Sequence, residues 1–281
     1  MPLFFPRIPT VLRPLLLLAA MLAAGCGDRT KEDASDILPV DQMYTEAKTS
    51  LEAGNVERAI KYYKRLVARF PFGRYTEQSQ IELAYAQYES NDAEEALSTI
   101  NRFIKTYPTH RHIDYAYYLR GLINFNRESG WVERYIKQDP TRRDLGFGRQ
   151  AFRDFGELVK RYPSSPYAPD ARQRMIHLRN GMAQSELNVA EYYFRRGAYI
   201  AAQGRARYVL ENYQQTPQAG DALAILTESY VRLDQSDLAK DTRRVLETNF
   251  PQHPYLSGNW PNRRNRFWQL LPFIGEGRSS G

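Results

Sequence analysis

A single cysteine, Cys26, in a chain of 281 residues leaves no intrachain disulfide possible. Histidine is nearly as scarce, with four residues in all. His110 and His112 stand two apart in "PTHRHID", His177 and His253 stand alone, and no neighbouring cysteine or HExxH completes a metal site, so these residues read as caps or surface contacts. The phosphate-binding pattern GxxxxGK(S/T) is missing, and no serine is followed three residues later by lysine. "GFGRQA", Gly146 to Ala151, matches a GxGxx(G/A) fingerprint in letters only. It follows the polar "DPTRRDL" where a nucleotide fold needs a buried strand, so it reads as the start of a helix. Glu94 and Glu95 read as solvated charges that complement a helix dipole. None of these patterns argues for catalysis, and the chain reads as a non-enzyme.

Long apolar runs are also lacking, except at the start. Arg7 and Arg13 supply positive charge, Leu15 to Ala24 form an apolar run, and small residues precede Cys26, which are the three parts of an export signal over residues 1–25. Ten helical residues rise only about 15 Å, roughly half of a bilayer's hydrocarbon thickness, so that run does not span a membrane. "LAAGC" resembles a bacterial lipobox, in which cleavage falls before the cysteine and its sulfur takes a diacylglycerol. The resemblance accounts for the lone thiol: Cys26 carries covalent diacylglycerol and N-acyl lipid and needs no other cofactor. Gly27 directly after it implies sorting to the outer membrane, with the protein anchored there and facing the periplasm.

Removal of residues 1–25 takes away Arg7 and Arg13 and lowers the formal charge from +7 to +5. An exported lipoprotein meets no nucleic acid, and 39 Lys+Arg interspersed with 32 Asp+Glu suit anionic lipid or an acidic partner better. Twenty tyrosines suggest helices packed through aromatics, with rings to spare for recognition.

One grammar recurs five times: a helix rich in aromatics and alanine, a polar break, a second helix, then commonly an aromatic and a proline. "MYTEAKTSLEAGNVERAIKYYKRLVARFP" is the first copy and "ELAYAQYESNDAEEALSTINRFIKTYP" the second. Ala59 and Ala96 stand 37 residues apart, as do Pro71 and Pro108. The third, "DYAYYLRGLINF", is interrupted by an insertion containing "SGWVERYIKQDPTRRDLGFG" and resumes as "RQAFRDFGELVKRYP". "VAEYYFRRGAYIAAQGRARYVLENY" and "ALAILTESYVRLDQSDLAKDTRRVLETNFP" are the fourth and fifth, with Ala202 and Ala239 again 37 apart. The pattern resembles the tetratricopeptide repeat, whose usual unit is about 34 residues. It predicts an all-α solenoid of about five helix pairs with an insertion in the third repeat. Close crossings are expected at Ala47 with Ala59, Ala84 with Ala96, Gly121 with Ala151 and Ala190 with Ala202. Pro71, Pro108, Pro163 and Pro251 should stop second helices. Pro169 to Arg196 is long enough for one extended helix, or two nearly collinear ones with a break at Gly181. The expected division is a lipidated tether over 26–39, repeats 1–3 over 40–168, repeats 4–5 with the extended helix over 169–258, and a basic aromatic tail over 259–281.

Four longer strings are more specific than the repeat: "RFPFGRYTEQSQIELAYAQY", "YPTHRHIDYAYYLRGL", "AFRDFGELVKRYPSSPYAPDARQRM" and "VAEYYFRRGAYIAAQGRARYVL". They resemble the BamD family of lipoproteins of the outer-membrane β-barrel assembly machine, from Cys26 to about Pro251. The resemblance implies a scaffold bound through its C-terminal repeats to the POTRA domains of a BamA-like barrel-forming subunit, with Arg205, Arg195 and Arg196 at that contact. It also implies that the N-terminal repeats meet unfolded outer-membrane β-barrel substrates or accessory lipoproteins such as BamC. Phe72, Gly73, Arg74 and Tyr75 in "PFGRY", and Tyr115, Tyr118 and Arg120 in "DYAYYLRG", are the candidates for that role. A repeat lipoprotein that scaffolds cell-wall synthesis would share the lipobox and the solenoid, but not these strings. The tail after Tyr255 departs from the family pattern. Its arginines Arg263, Arg264, Arg266 and Arg278, interleaved with Trp260, Phe267, Trp268 and Phe273, suggest a segment outside the solenoid that folds on a partner.

Overall fold

The computed structural model describes residues 38–128 and 146–260. Cys26, most of the insertion and the tail from Pro261 onward lie outside the described residues. Those described form ten α-helices and one 3-10 turn, with no strand among them, the all-α repeat fold that the 37-residue period predicts. They fall into two compact units that divide between Asn91 and Asp92. The first unit contains α1 (Val40–Glu52), α2 (Val56–Arg69) and α3 (Arg74–Glu89), with α2 packed against both of the others. The second contains α4 (Ala93–Thr106), α5 (Ile113–Glu128), α6 (Gly146–Arg161), α7 (Ala168–Arg195), α8 (Tyr199–Asn212), α9 (Ala219–Arg232) and α10 (Ser236–Asn249). Within it each helix packs on its neighbours in the chain, and a 3-10 turn over Pro254–Ser257 follows.

The helix breaks repeat with the same period as the sequence. Gly54, Asn91, Gly197 and Asp234 all take positive φ, at 76°, 62°, 72° and 56°, in the turn from the first helix of a pair to the second. Glycine enters this left-handed region freely, and Asn and Asp enter it more readily than other residues. After three of them the next amide reaches back five residues: Asn55 to the Ser50 carbonyl, Ala198 to Tyr193 and Gln235 to Tyr230, so carbonyls at the helix end find donors. Asn55 and Asp92 then cap α2 and α4 through their side chains, accepting from the Arg58 and Glu95 amides.

Second helices end on an aromatic: Phe70, Tyr107, Tyr162, Tyr213 and Phe250 each donate their amide to the carbonyl four residues back. Those carbonyls belong to Leu66, Phe103, Leu158, Val209 and Leu246, all wholly buried. Four of the five aromatics precede a proline. Tyr213 does not, and α8 still ends at Asn212. The buried anchor and its aromatic therefore set the stop, and proline reinforces it. His110 and His253 sit three residues after the aromatic, where their Nδ1 atoms accept the amides of His112 and Tyr255, a capping role.

Ala47 with Ala59, and Ala190 with Ala202, are wholly buried and share core clusters, as the close-crossing pattern requires. Gly121 has a different partner from the one expected. A Cβ there would come within 2.5 Å of the Phe155 ring, itself fully buried, so glycine makes room for an aromatic one turn beyond Ala151. Of the two forms open to Pro169 to Arg196, the single extended helix is the one formed, with no break at Gly181. α7 runs unbroken over 28 residues, and burial of Leu178, Met182, Ala183 and Leu187 outweighs a glycine cost of about 1 kcal/mol.

One residue assigned to the tail belongs to the body. Trp260 packs 5.8 Å from Phe194 and 5.6 Å from Tyr255, ring centroid to centroid, and its Nε1 donates to Asp221 at 3.4 Å. His253 meets the same carboxylate at 3.2 Å. The grouping of Trp260 with the basic residues that follow hid its packing against the core.

The two glycines make opposite predictions. Gly121→Ala should lower unfolding stability by about 1–3 kcal/mol, because overpacking against a buried ring exceeds the gain in helix propensity. Gly181→Ala meets nothing within 4 Å and should raise stability by about 0.5–1 kcal/mol. Urea denaturation followed by circular dichroism checks both signs.

Candidate binding surfaces

In the first unit the joint "PFGRY" is shaped by Gly73, whose φ of 109° and ψ of 166° suit glycine almost alone. Thr76 closes the joint by donating its hydroxyl to the Phe70 carbonyl. Phe72 is left 88% exposed, a large ring held in water at the end of a fixed turn. Beside it the Arg74 guanidinium lies 5.0 Å from the Tyr75 ring centre. Tyr75 continues to Tyr44 at 5.4 Å, and Tyr44 to Tyr63 at 6.4 Å. The hydroxyls of Tyr44 and Tyr63 both donate to Glu82, which also accepts from Gln78 at 2.9 Å. Burial first, and the Glu82 carboxylate second, push the Tyr63 phenol far above its ordinary range. An aromatic row thus runs from solvent into the core and ends on a carboxylate. Sequence reasoning found its exposed end but missed Tyr44, Tyr63 and Glu82, which are joined only by the pairing of α1, α2 and α3.

Tyr115, Tyr118 and Arg120 lie on α5 in the second unit. Tyr115 and Tyr118 both meet Tyr167, at 5.2 Å and 4.9 Å, the second pair stacked. The Tyr118 hydroxyl donates to Asp170 at 2.6 Å, and Asp170 is also paired with Arg174 at 2.6 Å. Burial and the Asp170 carboxylate push the Tyr118 phenol up to about 12. Arg120 binds Asp154 at 2.9 Å and Glu157 at 2.6 Å, and its side chain is only 16% exposed. Burial raises the Asp154 carboxyl above its ordinary value, although the Arg120 charge opposes it. Tyr118 and Arg120 therefore fasten α5 to α7 and α6, while Arg120 also lines a groove with Asn124, Arg153 and Lys160. The i,i+4 pair Asp170 and Arg174 was visible in sequence. The bond from Tyr118 to Asp170, across 52 residues, had no sequence signal.

The three C-terminal arginines lie on the α7–α8 hairpin, Arg195 and Arg196 at its turn and Arg205 farther along, beside Glu186. Arg205 is about half exposed and pairs with Glu186 at 2.9 Å. Arg196 lies 5.3 Å from the Tyr192 ring. Arg195 ends α7, where its charge opposes the burial and the Asp221 carboxylate that raise Glu191. Ile200, 74% exposed, and Tyr192, 47% exposed, add apolar surface that charge-centred reading passed over. The candidates in the first unit, and those in the second, are each ordered by contacts within their own unit.

Repeated helix pairs that present rings and guanidinium groups define a tetratricopeptide-type scaffold. The model of an outer membrane lipoprotein family, YfiO, matches residues 37–246. A curated relative from Xylella fastidiosa strain 9a5c, outer membrane protein assembly factor BamD, is 46% identical over 98% of this chain and 94% of its own. The same-named proteins of Neisseria gonorrhoeae and Vibrio cholerae are 42% and 37% identical, over 90% and 83% of this chain and 95% and 96% of theirs. The chain belongs to the BamD family. Among solved structures it is similar to the TPR2AB domain of yeast Sti1 in its pHSP90 complex, with a TM-score of 0.43 at 14% identity over 75% of this chain and 78% of that one.

Tyr118→Phe should cost about 1 kcal/mol at neutral pH through loss of the bond to Asp170. A phenol whose folded pKa is raised contributes stability below its unfolded value near 10 and loses it as pH climbs toward about 12. The gap between wild type and variant should therefore narrow from pH 10 to pH 12 in paired urea titrations, and a constant gap contradicts the assignment.

Proposed function

We propose that the protein is a non-enzymatic assembly factor for outer-membrane β-barrel proteins, held by lipid on Cys26 at the periplasmic face of that membrane. Membership of the BamD family over nearly the whole chain is the observation that carries this reading. No helix among the described residues is long and apolar enough to cross a membrane, so attachment rests on the anchor. The lipid on Cys26 is the only added group the role requires.

On this reading the α7–α8 hairpin receives the POTRA domains of a BamA-like subunit through Arg195, Arg196 and Arg205. Exposed Ile200 and Tyr192 supply the apolar contact that a charge pair alone lacks. Phe72, Gly73, Arg74 and Tyr75 take unfolded barrel substrates or an accessory lipoprotein, with the glycine turn presenting the Phe72 ring and Arg74 stacked on Tyr75. Tyr115 offers a further ring, while Tyr118 and Arg120 hold the helix that displays it.

Arg205→Gln should weaken binding of isolated POTRA domains by at least about tenfold, the scale of losing one partner of a close interfacial charge pair. Arg205→Glu should weaken it further, but it also faces Glu186 and destabilises the hairpin, so the glutamine variant is the cleaner probe. Calorimetric affinity with circular dichroism as the fold control decides the matter, and equal affinity in a folded Arg205→Gln variant removes this site. Cys26→Ser should abolish acylation, read as the mass of the N-terminal peptide, since a hydroxyl does not replace the thiol in diacylglyceryl transfer.

A further inference from the structure

Charge in the first unit is sorted by helix. α2 carries Arg58, Lys61, Lys64, Arg65 and Arg69 against one carboxylate, Glu57. α1 and α3 together reverse the balance, with Lys48 and Arg74 against Asp41, Glu46, Glu52, Glu77, Glu82 and Glu89. Within α2 the sorting continues. Ala59, Tyr63 and Leu66 are wholly buried between α1 and α3, and Arg58, Lys61, Lys64 and Arg69 are exposed on the face away from them. The result is a cationic stripe along the outside of one helix.

Its position is as informative as its charge. Arg69, at the end of the stripe, donates to the Leu38 carbonyl at 3.3 Å, so the chain arriving from Cys26 meets the body at that end of α2. Twelve residue steps separate Cys26 from Leu38, a reach of at most about 40 Å. A lipid on Cys26 therefore keeps the stripe close to a bilayer. The cations have intramolecular contacts, as in the Arg58–Glu46 pair at 2.9 Å, but both partners there are about half exposed and can exchange one ion for another.

We propose that the outer face of α2 is a docking surface for anionic lipid, which holds the first unit against the membrane to which Cys26 tethers it; the proposal rests on the lipid-anchor reading above. The stripe suits a fluid headgroup layer better than an acidic protein. It exposes no large apolar side chain to serve as an anchor, and two of its four exposed cations are lysines, which protein interfaces disfavour. Lysine and arginine on flexible stems need no matching shape to meet phosphate headgroups, and an acyl anchor with a basic patch gives firmer attachment than either alone.

The test uses the full lipidated protein in vesicles of phosphatidylcholine alone, or with about 30% phosphatidylglycerol, treated with a water-soluble amine-acylating reagent. Lys61 and Lys64 should label at least about threefold more slowly on the anionic vesicles, and the protection should vanish near about 0.5 M salt. Lys48 on α1 and Lys160 on α6 should label equally on both. Arg58→Gln with Arg69→Gln should weaken the protection of the two lysines. Equal labelling on both vesicles, with Cys26 acylated by mass, overturns the stripe and leaves the anchor. Protection with Cys26 unmodified supports the stripe and removes the anchor. Protection that appears on phosphatidylcholine only after purified partner proteins are added assigns the face to an acidic protein and overturns the lipid proposal.

Discussion

Close approach of paired helices at small, wholly buried residues is the constraint on which the rest of the structure depends. Ala47 and Ala59 in the first unit, and Ala190 and Ala202 in the second, occupy positions where a longer side chain would force two helices apart. Phe155 extends the rule, since its ring fills the space that Gly121 leaves. A single pair buries too little to stand alone, so each helix stripe is completed by its neighbour and stability is shared along the array. Fixing the crossings also fixes the turns, and two of the exposed candidate residues, Phe72 and Arg196, sit in them. Phe72 projects because Gly73 bends the joint, and Arg196 lies beside the left-handed Gly197.

The fold was legible because its controlling features recur at one interval. Left-handed residues at 54 and 91 and at 197 and 234, and the buried anchors Leu66, Phe103, Val209 and Leu246, obey the 37-residue period that alanines and prolines announced. The binding surfaces were less legible. Glu82, Asp154 and Asp170 decide how tyrosines and Arg120 are held, yet each meets its partner across a helix interface with no fixed sequence spacing. Arg120 shows the consequence: in sequence it reads as a cation for recognition, and in three dimensions two carboxylates occupy most of it. Trp260 was misplaced for the same reason, since nothing in "NWPNRRNRF" reveals a ring seated on Phe194 and Tyr255.

Scaffolding and catalysis make different demands, and the pattern here meets the first. Asp154 and Tyr63, polar groups buried in the body, are each engaged by neighbouring side chains, Asp154 at the wall of the groove that Arg120 lines. The candidate contact groups are rings, guanidiniums and aliphatic side chains, of a kind that gives affinity without bond making.

Site-specific photocrosslinking in native outer membranes tests the scaffold account most directly, with the probe placed in turn at Ile200 and at Phe72. The account predicts a barrel-forming subunit as the adduct at Ile200, and unfolded barrel proteins or an accessory lipoprotein at Phe72. Adducts at both positions with cell-wall synthases, and none with barrel proteins, would contradict it.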